Sequence, residues 1–155
     1  MFNQLLPQRI DNTYRGYTLA LGLFALVVSV KILQSLLVIF NGYSVVMSAD
    51  GIPLDTYTPA SAQTVVAVWA LSAVSRLIIS LLCVLVLVRY RAAIPVMFAL
   101  LALEYLARQL VLHFIPLIRT GTPPGPFVNL ILFALMIVGL ALSLWSRSDL
   151  QVAAE

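Results

Sequence analysis

The chain has 155 residues, of which 62% are hydrophobic and only 10% charged, with a formal net charge of +3 and a mean hydropathy of +1.04. A soluble domain carries about 25% charged residues, so this is the composition of a membrane protein. Apolar runs of spanning length fill nearly two thirds of the chain, which leaves no room for a separate soluble domain, and the alternation of membrane β-strands is absent.

The opening MFNQLLPQRIDNTYRG sets Pro7 and Asp11 before an apolar run too long for a signal h-region, so the first helix is expected to be retained. Phe2, Leu5, Leu6 and Ile10 fit a short surface-lying turn with Arg9 and Arg15 toward headgroups. The first span is expected from Tyr17 to Phe40, with Lys31, Gln34 and Ser35 on one arc. About 20 residues without Lys or Arg follow, holding Asp50 and Asp55; a connection of that length is either a solvated tether or a lid over a cavity.

The second span, Ala62 to Val88, groups Ser72, Ser75, Arg76, Ser80 and Cys83 within an arc of about 140°. The stretch RYRAAIP reads as a tight basic turn with Pro95 in the first turn of the next helix, which predicts an antiparallel hairpin. The third span, Ala93 to Ile118, contains EYLARQLVLHF at 104–114. At about 100° per residue Glu104 and Arg108 share a face, Gln109 lies to one side and His113 is about 180° from Glu104. The Pro- and Gly-rich RTGTPPGP stops that helix. The fourth span, Phe127 to Trp145, carries no charge, and its Gly139 and Ser143 are spaced for close backbone approach.

The expected fold is therefore all-α integral membrane: a single domain over 1–155, a four-helix transmembrane bundle with a long first outer loop. Arg9, Arg15, Arg89, Arg91 and Arg147 fall at one end and Arg119 at the other, so both termini are expected in the cytoplasm. Tyr14, Tyr17, Tyr90 and Trp145 near the inner boundary and Tyr43 near the outer agree with that orientation. A bacterial cytoplasmic (inner) membrane is the expected location, from the compactness of the chain and its lack of organelle signals.

Charges inside the spans carry the functional reading. One charged side chain at mid-bilayer costs about 2.5–3.5 kcal/mol on insertion scales, and such residues face a bundle interior or a wet cavity. Counting turns from the outer boundary puts Arg76 and Glu104 level at about 20 Å, and Lys31 and Arg108 at about 15 Å. Glu104 is accordingly expected to bridge Arg76 and Arg108, leaving Lys31 as a surplus cation. The expected ligand set is Lys31, Arg76, Glu104 and Arg108, with Gln34, Ser72, Ser80, Gln109 and His113 as accessories. The ligand that would balance this charge is an anionic amphiphile, a lipid headgroup phosphate or a fatty carboxylate, held by forked guanidinium hydrogen bonds.

Two other classes remain: an ion or proton pathway through Glu104 and His113, and an accessory subunit of a homo-oligomer or larger membrane complex. Enzymatic chemistry is disfavoured. One cysteine excludes an intrachain thiol pair and one histidine a two-histidine haem site, and no metal-ligand spacing, nucleophile elbow or phosphate loop is visible. Cys83 is expected to be a buried small hydrophobe and His113 an interfacial hydrogen-bonding residue. No cofactor, metal or nucleic-acid partner is expected.

Overall fold

A computed structural model describes Tyr14 and residues 16–145; the turn expected around Phe2, Leu5, Leu6 and Ile10, together with Arg9, Arg15 and Arg147, lies outside the described residues. The helices are α1 (Thr18–Phe40), the short α2 (Gly42–Ser48), α3 (Pro59–Arg89), α4 (Ile94–Phe114) and α5 (Pro124–Leu144), with single 3-10 turns at Leu54–Thr56 and Arg91–Ala93. Among the described residues there is no strand, and α1, α3, α4 and α5 are long and apolar enough to cross a membrane.

Local chemistry sets the helix limits. Thr58 caps α3 through its Oγ1, which accepts from the Ser61 backbone N–H at 3.3 Å, and Pro59 occupies the first turn, where a missing N–H costs no intrahelical bond. The helix thus begins three residues before the expected Ala62. The third span was expected to reach Ile118, but α4 stops at Phe114. Pro116 disfavours helical backbone at Ile115 and so ends the helix there.

In the larger of two apolar clusters α1 supplies Phe24 and Val27, α3 Cys83 and Val86, α4 Met97, Phe98 and Leu101, and α5 Leu132 and Met136. Phe24 and Phe98 meet edge to face at 5.0 Å, and Tyr105 of α4 stacks on Phe133 of α5 at 4.6 Å. Cys83 is fully buried, as a small hydrophobe.

The predicted hairpin is only partly realised. Residues on either side of the basic turn share the core, yet α3 packs chiefly along α1, and α4 along α5. No residue of α4 beyond Ala102 is buried, so α3 and α4 part company toward the end of the bundle that carries α2. A tight turn fixes where two helices begin, not which neighbour each one packs against.

Nor is the segment after α1 a tether. Val46 of α2 and Ile52, Leu54 and Ala62 form a second small core, closed by Trp69. It is tied to the last connection, because the Gly51 carbonyl accepts from both the backbone N–H of Thr120, at 2.8 Å, and its hydroxyl, at 3.2 Å; Gly125 N–H donates to the Ala49 carbonyl at 2.9 Å. Gly51 has φ +74°, and a Cβ there would sit 2.8 Å from Pro123 Cγ, so this junction requires glycine on both counts. We call this assembly of 41–58 with 115–123 the cap.

Two packing predictions follow from this geometry. A Cβ at Gly139 would run into the ring of Phe98, so Gly139→Ala should destabilise the bundle by about 1–3 kcal/mol, read as a lower unfolding midpoint in detergent. Among the described residues Tyr14 Oη is buried without a hydrogen-bond partner, and burial pushes its pKa up to about 12. Because an orphaned hydroxyl costs about 1–3 kcal/mol, Tyr14→Phe should leave the midpoint unchanged or raise it. A drop would show that the hydroxyl is satisfied after all.

Candidate functional site

Helix α1 carries Lys31, Gln34 and Ser35 on one arc, and α3 and α4 turn Arg76 and Ser80, and Leu101, Glu104 and Arg108, toward the same space. With Ile79 and Asn129 these residues line a narrow cavity of about 20 Å³. Continuing toward the cap, a second cavity of about 60 Å³ shares Lys31, Glu104, Arg108 and Asn129, and adds Asp50, Tyr105, Gln109 and Arg119. On a scale of ~10–15 Å³ per water-sized sphere, the first holds a single water and the second a few.

The ion pairing differs from the sequence expectation. Glu104 Oε2 lies 3.2 Å from Lys31 Nζ, and this is the one salt bridge among the described residues. The side chains are 15% and 30% exposed, so neither is sealed from solvent or lipid. Glu104 therefore does not bridge Arg76 and Arg108, and Lys31 is not the surplus cation. Depth counting misassigned the pair because it compares Cα heights, whereas the four-carbon stem of lysine carries its ammonium well away from its own turn.

The unmatched cations are instead the two arginines. Arg76 Nε donates to the Ser72 carbonyl one turn earlier, at 3.4 Å, which occupies one of five guanidinium donors and neutralises no charge. No carboxylate lies within 4.0 Å of either Arg76 or Arg108 among the described residues. Across both cavities Lys31, Arg76, Arg108 and Arg119 stand against Glu104 and Asp50, four positive groups to two negative, a surplus of +2.

Of the expected accessories, Gln34, Ser80 and Gln109 line the cavities. Ser72 and His113 line neither. The Ser72 hydroxyl donates to the Val68 carbonyl at 3.0 Å, and His113 is exposed, its ring edge-on to Phe114 at 5.6 Å. Ser80 and Ser35 return their hydroxyls to the carbonyls of Arg76 and Lys31, each at 2.8 Å, so both act as small packing residues that allow close approach.

Sequence reasoning passed over Asn129 and Asp50. An amide inside an otherwise apolar fourth span was a usable signal for Asn129. For Asp50 there was none, because its place depends on the cap fold: Trp69 Nε1 donates to Asp50 Oδ2 at 2.8 Å and holds the carboxylate at the cavity mouth. Comparison with family models, with curated proteins and with solved structures finds no match to this chain.

The pairing can be tested by charge reversal. Lys31→Glu and Glu104→Lys should each lose on the order of 2–3 kcal/mol, below the ~3–5 expected for a fully buried pair because Glu104 retains exposure. Combining them should recover most of the loss, whereas Arg76→Glu with Glu104→Arg should show no such recovery. Unfolding midpoints of the full set decide between the two pairings.

Proposed function

We propose that this chain is a small multi-pass membrane protein that binds the anionic headgroup of an amphiphile, a phosphate or fatty carboxylate, without transforming it. One observation carries the reading: Arg76 and Arg108, with no carboxylate within 4.0 Å among the described residues, line a polar cavity on the side where α3 and α4 diverge. An arginine in low dielectric cannot shed its proton, so the balance must come from oxygens of another molecule or from water. Two forked guanidinium groups suit an oxyanion with several acceptor positions, and Lys31, held by Glu104, adds a point charge beside them.

The route of access favours an amphiphile over a free anion. Ile79 is 39% exposed and still lines the inner cavity, so apolar surface meets polar cavity at the α3–α4 gap. A headgroup could sit on the arginines while its chain stays among the apolar flanks. Arginine bias supports an orientation with the cap outside and both termini cytoplasmic, which would open the site to the outer leaflet.

A proton pathway is the weaker reading, because Glu104 is engaged by Lys31, and His113, the other titrating candidate, lines neither cavity. An accessory-subunit role predicts a different experimental result rather than a different site. Mass measurement of the protein released from mild detergent with lipid retained should find a bound anionic lipid or fatty acid, reduced at least about tenfold in Arg76→Gln with Arg108→Gln, about 1.4 kcal/mol. Equal retention by wild type and double variant would remove the proposal, and a lipid-free complex with a second chain would replace it with the subunit reading.

A further inference from the structure

A separate cavity of about 400 Å³ lies on the other face of the cap, lined by Tyr43 of α2, Asp55 and Tyr57 of the following turn, and Pro59, Ala62, Gln63 and Val66 at the start of α3, with Leu54. Its frame is fixed. Leu54 and Ala62 are buried in the cap core, Thr56 Oγ1 donates to the Pro53 carbonyl at 2.8 Å, and Thr58 caps α3. Gly42 brings α2 so close to α3 that a Cβ there would stand 2.8 Å from Val66 Cγ1.

The chemistry of the lining is the reverse of the arginine site. Between Asn41 and Ser75 there is no Lys or Arg, and Asp55 forms no salt bridge among the described residues. Trp69 already engages the segment's other acid, Asp50. The cavity thus combines one open carboxylate, two phenol rings and an apolar floor of Leu54, Ala62 and Val66. Neither tyrosine is buried: Tyr43 is 50% exposed and Tyr57 38%.

We propose that this cavity binds a quaternary ammonium group. Aromatic faces attract a cation through the ring quadrupole, and Asp55 supplies the opposite charge. A primary ammonium is strongly hydrated and would give up that hydration against ring faces and an apolar floor, which offer it no acceptor. A trimethylammonium group is weakly hydrated and offers methyl groups to the rings and to the apolar floor. It can arrive on a small soluble molecule or on a lipid headgroup at the membrane surface.

The test uses the full chain in phosphatidylglycerol nanodiscs, titrated with tetramethylammonium and, separately, with ammonium. Saturation transfer between ligand methyl protons and protein aromatic protons reports contact, and calorimetry reports affinity. Tetramethylammonium should bind and ammonium should not. Tyr43→Phe and Tyr57→Phe, which keep the ring, should retain affinity, and Tyr43→Leu or Tyr57→Leu should weaken it by about two- to thirtyfold. Asp55→Asn should weaken it as well. Loss of the signal when phosphatidylcholine is added to the discs would assign the headgroup as the bound form, and persistence would assign a soluble ligand; both support the site. Equal affinity for the two ions, unchanged affinity in the leucine variants, or loss in the phenylalanine variants would overturn it.

Discussion

The Lys31–Glu104 ion pair crosses the interior between α1 and α4, two helices that make little other direct contact, and the charged side chains that line the two cavities gather around it. Bringing an ammonium and a carboxylate out of water costs several kcal/mol per ion, which their mutual attraction roughly offsets, so the pair is a poor source of stability. Its consequence is positional. The turn end of the bundle is filled by Phe24, Phe98, Leu101 and Cys83, whereas at the ion pair the side chains that meet are long and charged, and the space between them stays open. A cavity results where an apolar bundle would have closed.

Much of this arrangement was written in the sequence, because the energetic penalty for charge in lipid is large enough to fix helix rotation. Lys31, Gln34, Arg76, Ser80, Glu104 and Arg108 could be assigned to an inward arc by periodicity alone, and they line one cavity. Partner choice was not legible. Which of three cations meets Glu104 depends on side-chain reach and on α3 packing along α1 rather than along α4, and neither follows from heights counted in turns. The cap was illegible for a related reason: its core joins Val46, Ile52 and Leu54 to Trp69 across the start of α3, a pattern with no fixed period. Two signals were present but unread: Pro116, which ends α4 at Phe114 where the span was expected to reach Ile118, and Asn129, an amide in an apolar run.

Changing the partner of Glu104 leaves the net charge of the site as it was and moves its centre. With Lys31 satisfied, the uncompensated charge rests on two guanidinium groups that flank the α3–α4 gap, not on a flexible ammonium able to reach for headgroups. That matters physically, because lysine has two escapes in lipid, deprotonation and snorkelling, while arginine has only the second. Arg76 sits far from either end of the 31-residue α3, so its route to water runs through the cavity. Asp50 and Arg119, opposite in sign, both line the second cavity, so the surplus positive charge stays with the arginines of the first.

Cavity size then decides what part of a ligand the site can take. Volumes of about 20 and 60 Å³ admit waters or the oxygens of a headgroup and exclude an acyl chain. A bound amphiphile would therefore be divided, with its charge inside the bundle and its chain along the exposed apolar flanks of α3 and α4, where Ile78, Ile79 and Leu103 already face outward. Selectivity on these terms rests on charge more than on chain length, since lipid and the flanking side chains offer an acyl group nearly the same environment. The cap adds discrimination of opposite sign. If both proposals hold, its tyrosine-lined cavity with Asp55 would repel the oxyanions that the arginines would attract, and the two sites would divide polar groups by charge before any fit is tested.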